Sequence, residues 1–274
     1  MEQVEFATKH RLKALELRPN CVDVDRKELI DRVQRWRMAG GERLSVHLSD
    51  VGYSDGAVTF DDRYDELLAL VERLRADRIT QHVPKVGVKD VESDPKILVE
   101  ICEFLTDRFN RISHNVTIGV ENMHMTSKET PDGNRRFGYT PEECLQWMRL
   151  LATGCSHRVG INFDIGPARN NAPYSQTYPI GMRFAMLGKD IVGYHMHQVT
   201  HEDGVFRNHM PITDIYGSLI SLASFLKCWE TGRINHAPII FEMRPENAYE
   251  MTLKMFGICL ERADTMKING SLFY

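Results

Sequence analysis

Seven side chains able to hold a cation or move a proton stand in or at the ends of apolar, β-rich runs. They are His47 in LSVHLSD, His82 in RITQHVP, Glu121 in VTIGVENM, Asp164 in VGINFDIG, His195 and His197 in IVGYHMHQV, and Glu242 in PIIFEMR. Three of the seven are carboxylates. An ionised carboxylate left unpaired in a low-dielectric interior is strongly disfavoured, so three gathered around one centre call for a cation. With one imidazole they form a hard, oxygen-rich donor set that suits one divalent ion: manganese or magnesium or, through the nitrogen, zinc or cobalt. His47 and His82 could face a substrate, support the ligands or hold a second metal. Structural roles compete with each assignment. Glu121 and Glu242 could pair with an arginine such as Arg244, Asp164 could cap the turn at Gly166, and His47 and His82 could be hydrogen-bonded rim residues. Met123, Met125, Met196 and Met243 suit core packing.

These residues need a scaffold that presents strand ends together. Seven apolar runs, at 12–18, 44–50, 78–84, 116–123, 159–166, 191–199 and 238–244, read as buried parallel strands. Helix-period segments lie between them at 25–38, 61–75, 94–109, 141–151, 216–231 and 247–263. Thr140-Pro141-Glu142-Glu143 supplies an N-cap threonine, a proline at the first helical position and a capping-box glutamate. The alternation predicts an α/β chain of the TIM-type (β/α) barrel class, in which reactive groups sit at the C-terminal ends of strands. Seven strands are one short of eight, and the chain opens on a helix before LKALELR. The barrel is therefore expected to lack a conventional first strand, or to be closed by the C-terminal MKINGSLFY.

With 274 residues and no linker or long repeat, the chain is expected to be one barrel domain, 1–274. The formal net charge of −4 and the absence of a concentrated basic patch disfavour a nucleic-acid partner. Six scattered cysteines without a CxxC pair suit reduced thiols. No signal-like or membrane-length apolar run is present, so a cytoplasmic, membrane-free protein is expected, with a homo-oligomer allowed.

The four strands IGVENMH, NFDIG, GYHMHQV and IIFEMR, in this order and spacing, resemble the xylose isomerase-like barrels. These include sugar isomerases and epimerases, inosose-type dehydratases and the endonuclease IV repair enzymes. The resemblance covers most of the chain. It implies that Glu121, Asp164, His195 and Glu242 ligate the metal, and that Glu121 and Glu242 also act as the proton-transfer pair. His209, in NHMPI, matches a histidine that many members carry after the metal-histidine strand. Two positions depart from the pattern. Pro167 stands where members commonly have a histidine, and Arg207 where the endonuclease branch has an aspartate; both argue against a trinuclear zinc site and phosphodiester cleavage.

The expected function is a divalent-metal-dependent isomerase or epimerase of a sugar or related polyol or keto substrate, working through an enediolate. His47, His82, His197, His209 and Arg244 are expected to line the substrate. A dehydratase of the same group is the alternative, with an endonuclease IV-like phosphodiesterase behind it. A metal-free binding or sensor barrel would predict broken ligands, yet all four are present. Specificity is expected from loops 49–60, 123–140 and 165–182, with 123–140 a candidate lid.

Overall fold

The computed structural model describes residues 2–126, 128–131, 135–169, 173–202, 205–212, 222–243 and 249–268. They divide into two compact units, Met1–Phe163 and Asp164–Tyr274.

Unit 1 begins with helix α1 (Glu2–Lys9), strand β1 (Ala14–Leu17), a 3-10 turn at Pro19–Asp23 and helix α2 (Arg26–Met38). Then come β2 (Arg43–His47), β3 (Val51–Ser54), β4 (Ala57–Phe60), α3 (Arg63–Leu74) and β5 (Arg78–His82). It continues through α4 (Val88–Ser93), α5 (Lys96–Phe109), β6 (Thr117–Glu121), α6 (Pro141–Gly154) and β7 (Arg158–Asp164), whose last residue opens unit 2. Strands β1, β2, β5, β6 and β7 pair in parallel in that order.

The period-two pattern of these strands separates two faces. On one, Leu15, Leu17, Leu44, Val46, Ile79, Ile118, Val120 and Ile161 are buried hydrophobics. Helices supply matching apolar stripes: Leu29, Val33 and Trp36 on α2, and Leu67, Leu70, Val71 and Leu74 on α3. Each such side chain taken from water contributes about 1.5–3 kcal/mol. Trp36 also donates its indole N–H to the Leu12 carbonyl at 2.8 Å, tying α2 to the approach of β1. The register places Glu16, Ser45, Thr80 and Gly119 on the other face. Alternation puts His47, His82 and Glu121 there too, so the polar groups share the face opposite the helices. Gly119 is required at this point, because a Cβ there would lie 2.9 Å from Asn162 Cβ on β7. The capping box forms at the start of α6: Thr140 Oγ1 accepts from the Glu143 N–H and the Glu143 carboxylate takes the Thr140 N–H.

Two of the expected specificity loops carry structure of their own in unit 1. Loop 49–60 contains a hairpin, β3 with β4, turning through Asp55 and Gly56, both at positive φ. The 123–140 segment is anchored in its described part. Glu129 takes hydrogen bonds from Thr126, Arg136 and Tyr139, Arg135 makes a two-pronged pair with Glu143, and buried Phe137 donates its N–H to Val86.

Unit 2 runs through α7 (Ile165–Arg169), α8 (Tyr174–Thr177), α9 (Ile180–Leu187), β8 (Ile191–Met196), β9 (Gln198–Glu202), β10 (Val205–Met210), α10 (Leu222–Glu230), β11 (Ile239–Phe241) and α11 (Tyr249–Ile268). Strands β8 and β11 pair in parallel, and β9 with β10 forms an antiparallel hairpin. Phe184, Tyr194, Phe225 and Trp229 build an aromatic core, with Tyr194 edge-on to Phe225 at 5.2 Å. The expected C-terminal strand is not borne out over Met266–Ile268, which continue α11 because its helical pattern is unbroken there; residues 269–274 lie outside the described residues.

Seven parallel strands thus carry the fold, five in unit 1 and two in unit 2, each run followed in the chain by one or more helices. Among the described residues no helix is long and apolar enough to cross a membrane. Cys21, Cys102, Cys144, Cys155 and Cys228 are unbridged.

Candidate metal centre

In unit 1 the polar groups meet at the C-terminal ends of β2, β5 and β6. His47, 4% exposed, sets Nδ1 2.8 Å from the Leu48 carbonyl. A ring nitrogen beside a carbonyl must carry the proton, so in the neutral ring Nε2 keeps its lone pair. That atom lies 3.3 Å from Glu121 Oε2. His82 stands between two carboxylates, with Nδ1 2.6 Å from Asp50 and Nε2 3.8 Å from Glu121 Oε1. Burial alone would lower the His82 pKa, but Glu121 and Asp50 outweigh it and lift it to about 10. Asp50, which burial would raise, is instead held far below the usual carboxylate range by His82 and by Lys85, whose ammonium is 2.5 Å away. His47, His82 and Glu121 each offer a ligand atom within 4.8 Å of the other two.

In unit 2 the second set converges. Asp164 ends β7 and is 2% exposed, and its Oδ1 accepts from the Gly166 N–H at 2.9 Å. The turn cap weighed against ligation therefore forms, yet it engages one oxygen only. His195 lies on β8 and His197 directly follows its last residue, and both are fully buried. Register pairs Ile240 with His195, so alternation sends Glu242, two residues on, to the same face as His195. Glu242 Oε2 lies 3.1 Å from His195 Nδ1. Glu242 Oε1 lies 3.6 Å from His209 Nδ1. Asp164, His195 and Glu242 each offer a ligand atom within 4.8 Å of the other two. Buried Asp164 and half-buried Glu242, set against imidazoles, form a donor set that a divalent cation fits, since it would neutralise the carboxylates and use the ring lone pairs. Gly166 is needed beside it, because a Cβ there would collide with the His197 ring.

Among the expected substrate-facing residues, unit 1 gathers His47 and His82, and unit 2 gathers His197 and His209, whose ring centroids are 4.5 Å apart. Arg244 lies outside the described residues. Glu16 escaped the sequence reasoning. It is 5% exposed on β1 and accepts hydrogen bonds from Ser45 at 2.9 Å and Thr80 at 2.6 Å. The signal was there, a lone carboxylate interrupting LKALELR, but it sits within its strand and not at the end.

No family model matches the chain, and no curated protein matches it. Solved structures do. A D-tagatose 3-epimerase-like protein superposes with a TM-score of 0.64 at 17% identity, covering 97% of this chain and 93% of its own. A putative xylose isomerase from Rhodospirillum rubrum gives 0.66 at 13% identity over 93% and 91%. A D-psicose 3-epimerase, solved in the presence of D-fructose, gives 0.54 at 11% over 90% and 82%. The chain thus has the TIM-type α/β barrel fold, and the barrels it resembles are of the xylose isomerase-like kind. At these identities the fold is what is shared.

Proposed function

We propose that the chain is a divalent-metal-dependent isomerase or epimerase of a sugar or a related polyol or keto substrate. The convergence of Asp164, His195 and Glu242 in unit 2 carries this reading. Glu121 is proposed as the fourth ligand. It ends β6 opposite Asn162, two residues before Asp164 on β7, and the resemblance of the four strands assigns it that role. The likeness to epimerase-type barrels along nearly the whole chain supports the substrate class, and supports treating 1–274 as one barrel domain.

In this reading a divalent ion supplies Lewis acidity toward a substrate carbonyl and its neighbouring hydroxyl. Glu121 and Glu242 hold and move the proton of the substrate carbon, one removing it and the other returning it, through an enediolate. His47 and His82, beside Glu121, fix the position of its carboxylate, while His195 and His209 set that of Glu242. A dehydratase would share the proton abstraction and differ in losing water.

The test is solvent exchange. Chain supplied with manganese or magnesium is incubated with ketoses and polyol-derived ketones in deuterium oxide, and proton NMR follows the carbon-bound hydrogens. Deuterium at the carbon beside the carbonyl, with an isomeric product, is expected. A dehydrated product would favour the lyase, and no exchange by metal-loaded chain across the panel would contradict proton-transfer chemistry.

A further inference from the structure

Glu242 turns its two oxygens toward different histidines, Oε2 to His195 at 3.1 Å and Oε1 to His209 at 3.6 Å. His209 brings a third group with it, since its ring lies 4.5 Å from that of His197 and tilts by 41°. His197, His209 and Glu242 each offer a ligand atom within 4.8 Å of the other two, all inside unit 2. The backbone is shaped to put them there. His209 sits at φ +60°, a left-handed conformation that costs a non-glycine residue of order 1–3 kcal/mol and persists only where its surroundings enforce it. The strain falls where the β9–β10 register shifts between Arg207 and Met210. An irregularity of this kind re-aims a side chain out of the ladder. The His209 Nδ1 is 3.3 Å from the Glu242 carbonyl. The same nitrogen faces Glu242 Oε1, so the ring is held against both the backbone and the carboxylate of Glu242.

We infer that His197, His209 and Glu242 form a second cation site, selective for a zinc-class ion and sharing Glu242 with the ion proposed above. Two imidazoles and one carboxylate are a softer set than the three carboxylates and one imidazole of the first site. Three protein ligands leave one tetrahedral position open to water or a substrate oxygen. The inference rests on Glu242 being a ligand, as in the preceding reading. It reassigns His197 and His209, expected from the sequence to face substrate, as metal ligands.

The test is zinc stoichiometry. Metal-depleted full-length chain is saturated with zinc chloride, freed of excess by gel filtration and measured by elemental mass spectrometry, with circular dichroism checking the fold. About two zinc ions per wild-type chain are expected, falling to about one in His209→Gln and in His197→Gln. His197 is wholly buried and its variant can lose its fold, so the more accessible His209 decides the matter in that event. One zinc that His209→Gln retains, two zincs that it leaves unchanged, or a single zinc lost in both His209→Gln and Asp164→Asn would overturn the second site. A zinc lost in His209→Gln but indifferent to Asp164→Asn would uphold it and contradict the quartet.

Discussion

In unit 1 the acids meet a mixture of protein partners. Glu16 accepts two hydroxyl hydrogens, Asp50 faces Lys85, and Glu121 stands beside His47 and His82. In unit 2, Asp164 and Glu242 face His195, His197 and His209 at 3.1 to 3.7 Å. Imidazoles serve as well for ligands as for countercharges. Two clusters of similar residue types thus differ in what completes them. The first meets its carboxylates with hydroxyls, an ammonium and imidazoles, and the second sets them chiefly against imidazoles.

Substitutions should separate the two. The largest effect is expected from Glu242→Gln, which removes a charged ligand and one member of the proton-transfer pair. Its kcat/KM should fall about 10²–10⁴-fold in the exchange assay. A fall below tenfold would break the contrast. Gly166→Ala comes next, because the added methyl meets the His197 ring. It should cost about 1–3 kcal/mol in urea unfolding and lower metal content, tying packing to the centre. Glu16→Ala should behave differently. Removing the acceptor that Ser45 and Thr80 share should cost about 1–3 kcal/mol while metal content stays at the wild-type value. Loss of metal there would show that the unit 1 network also serves the ion.

The smallest effect is expected away from both clusters, at Glu129. Burial would raise its pKa, but hydrogen bonds from Thr126, Tyr139 and Arg136 outweigh this and hold it at about 2, against 4.5 ordinarily. A depressed carboxylate stabilises the fold above its unfolded pKa, and the gain disappears as pH falls through the folded one. Wild type should therefore melt a few degrees above Glu129→Gln at neutral pH, with the gap closing between about 4.5 and about 2. A gap that persists at the acid end would show that Glu129 acts through packing.

The parallel strands were legible because each pairs a period-two apolar pattern with a polar residue near its end, as RLSVH and TIGVE do. The helix at Pro141 was legible from its capping residues alone. The hairpin at 51–60 was not, since its strands are only four residues long, although Asp55-Gly56 is the dipeptide that favours a tight hairpin turn. The residue types of the site could be read at strand ends, and the resemblance added His209. Its pairing with His197 could not be read, because it depends on a register shift and a left-handed residue that no local pattern announces.

The account is tested most directly by the metal content of purified chain, compared with Glu121→Gln and Asp164→Asn variants that remain folded. The wild type, supplied with manganese, magnesium or zinc, should carry divalent ion, and both variants should carry about one ion per chain less. A wild type that holds no metal under all three supplies, or variants that keep the full complement, would contradict it.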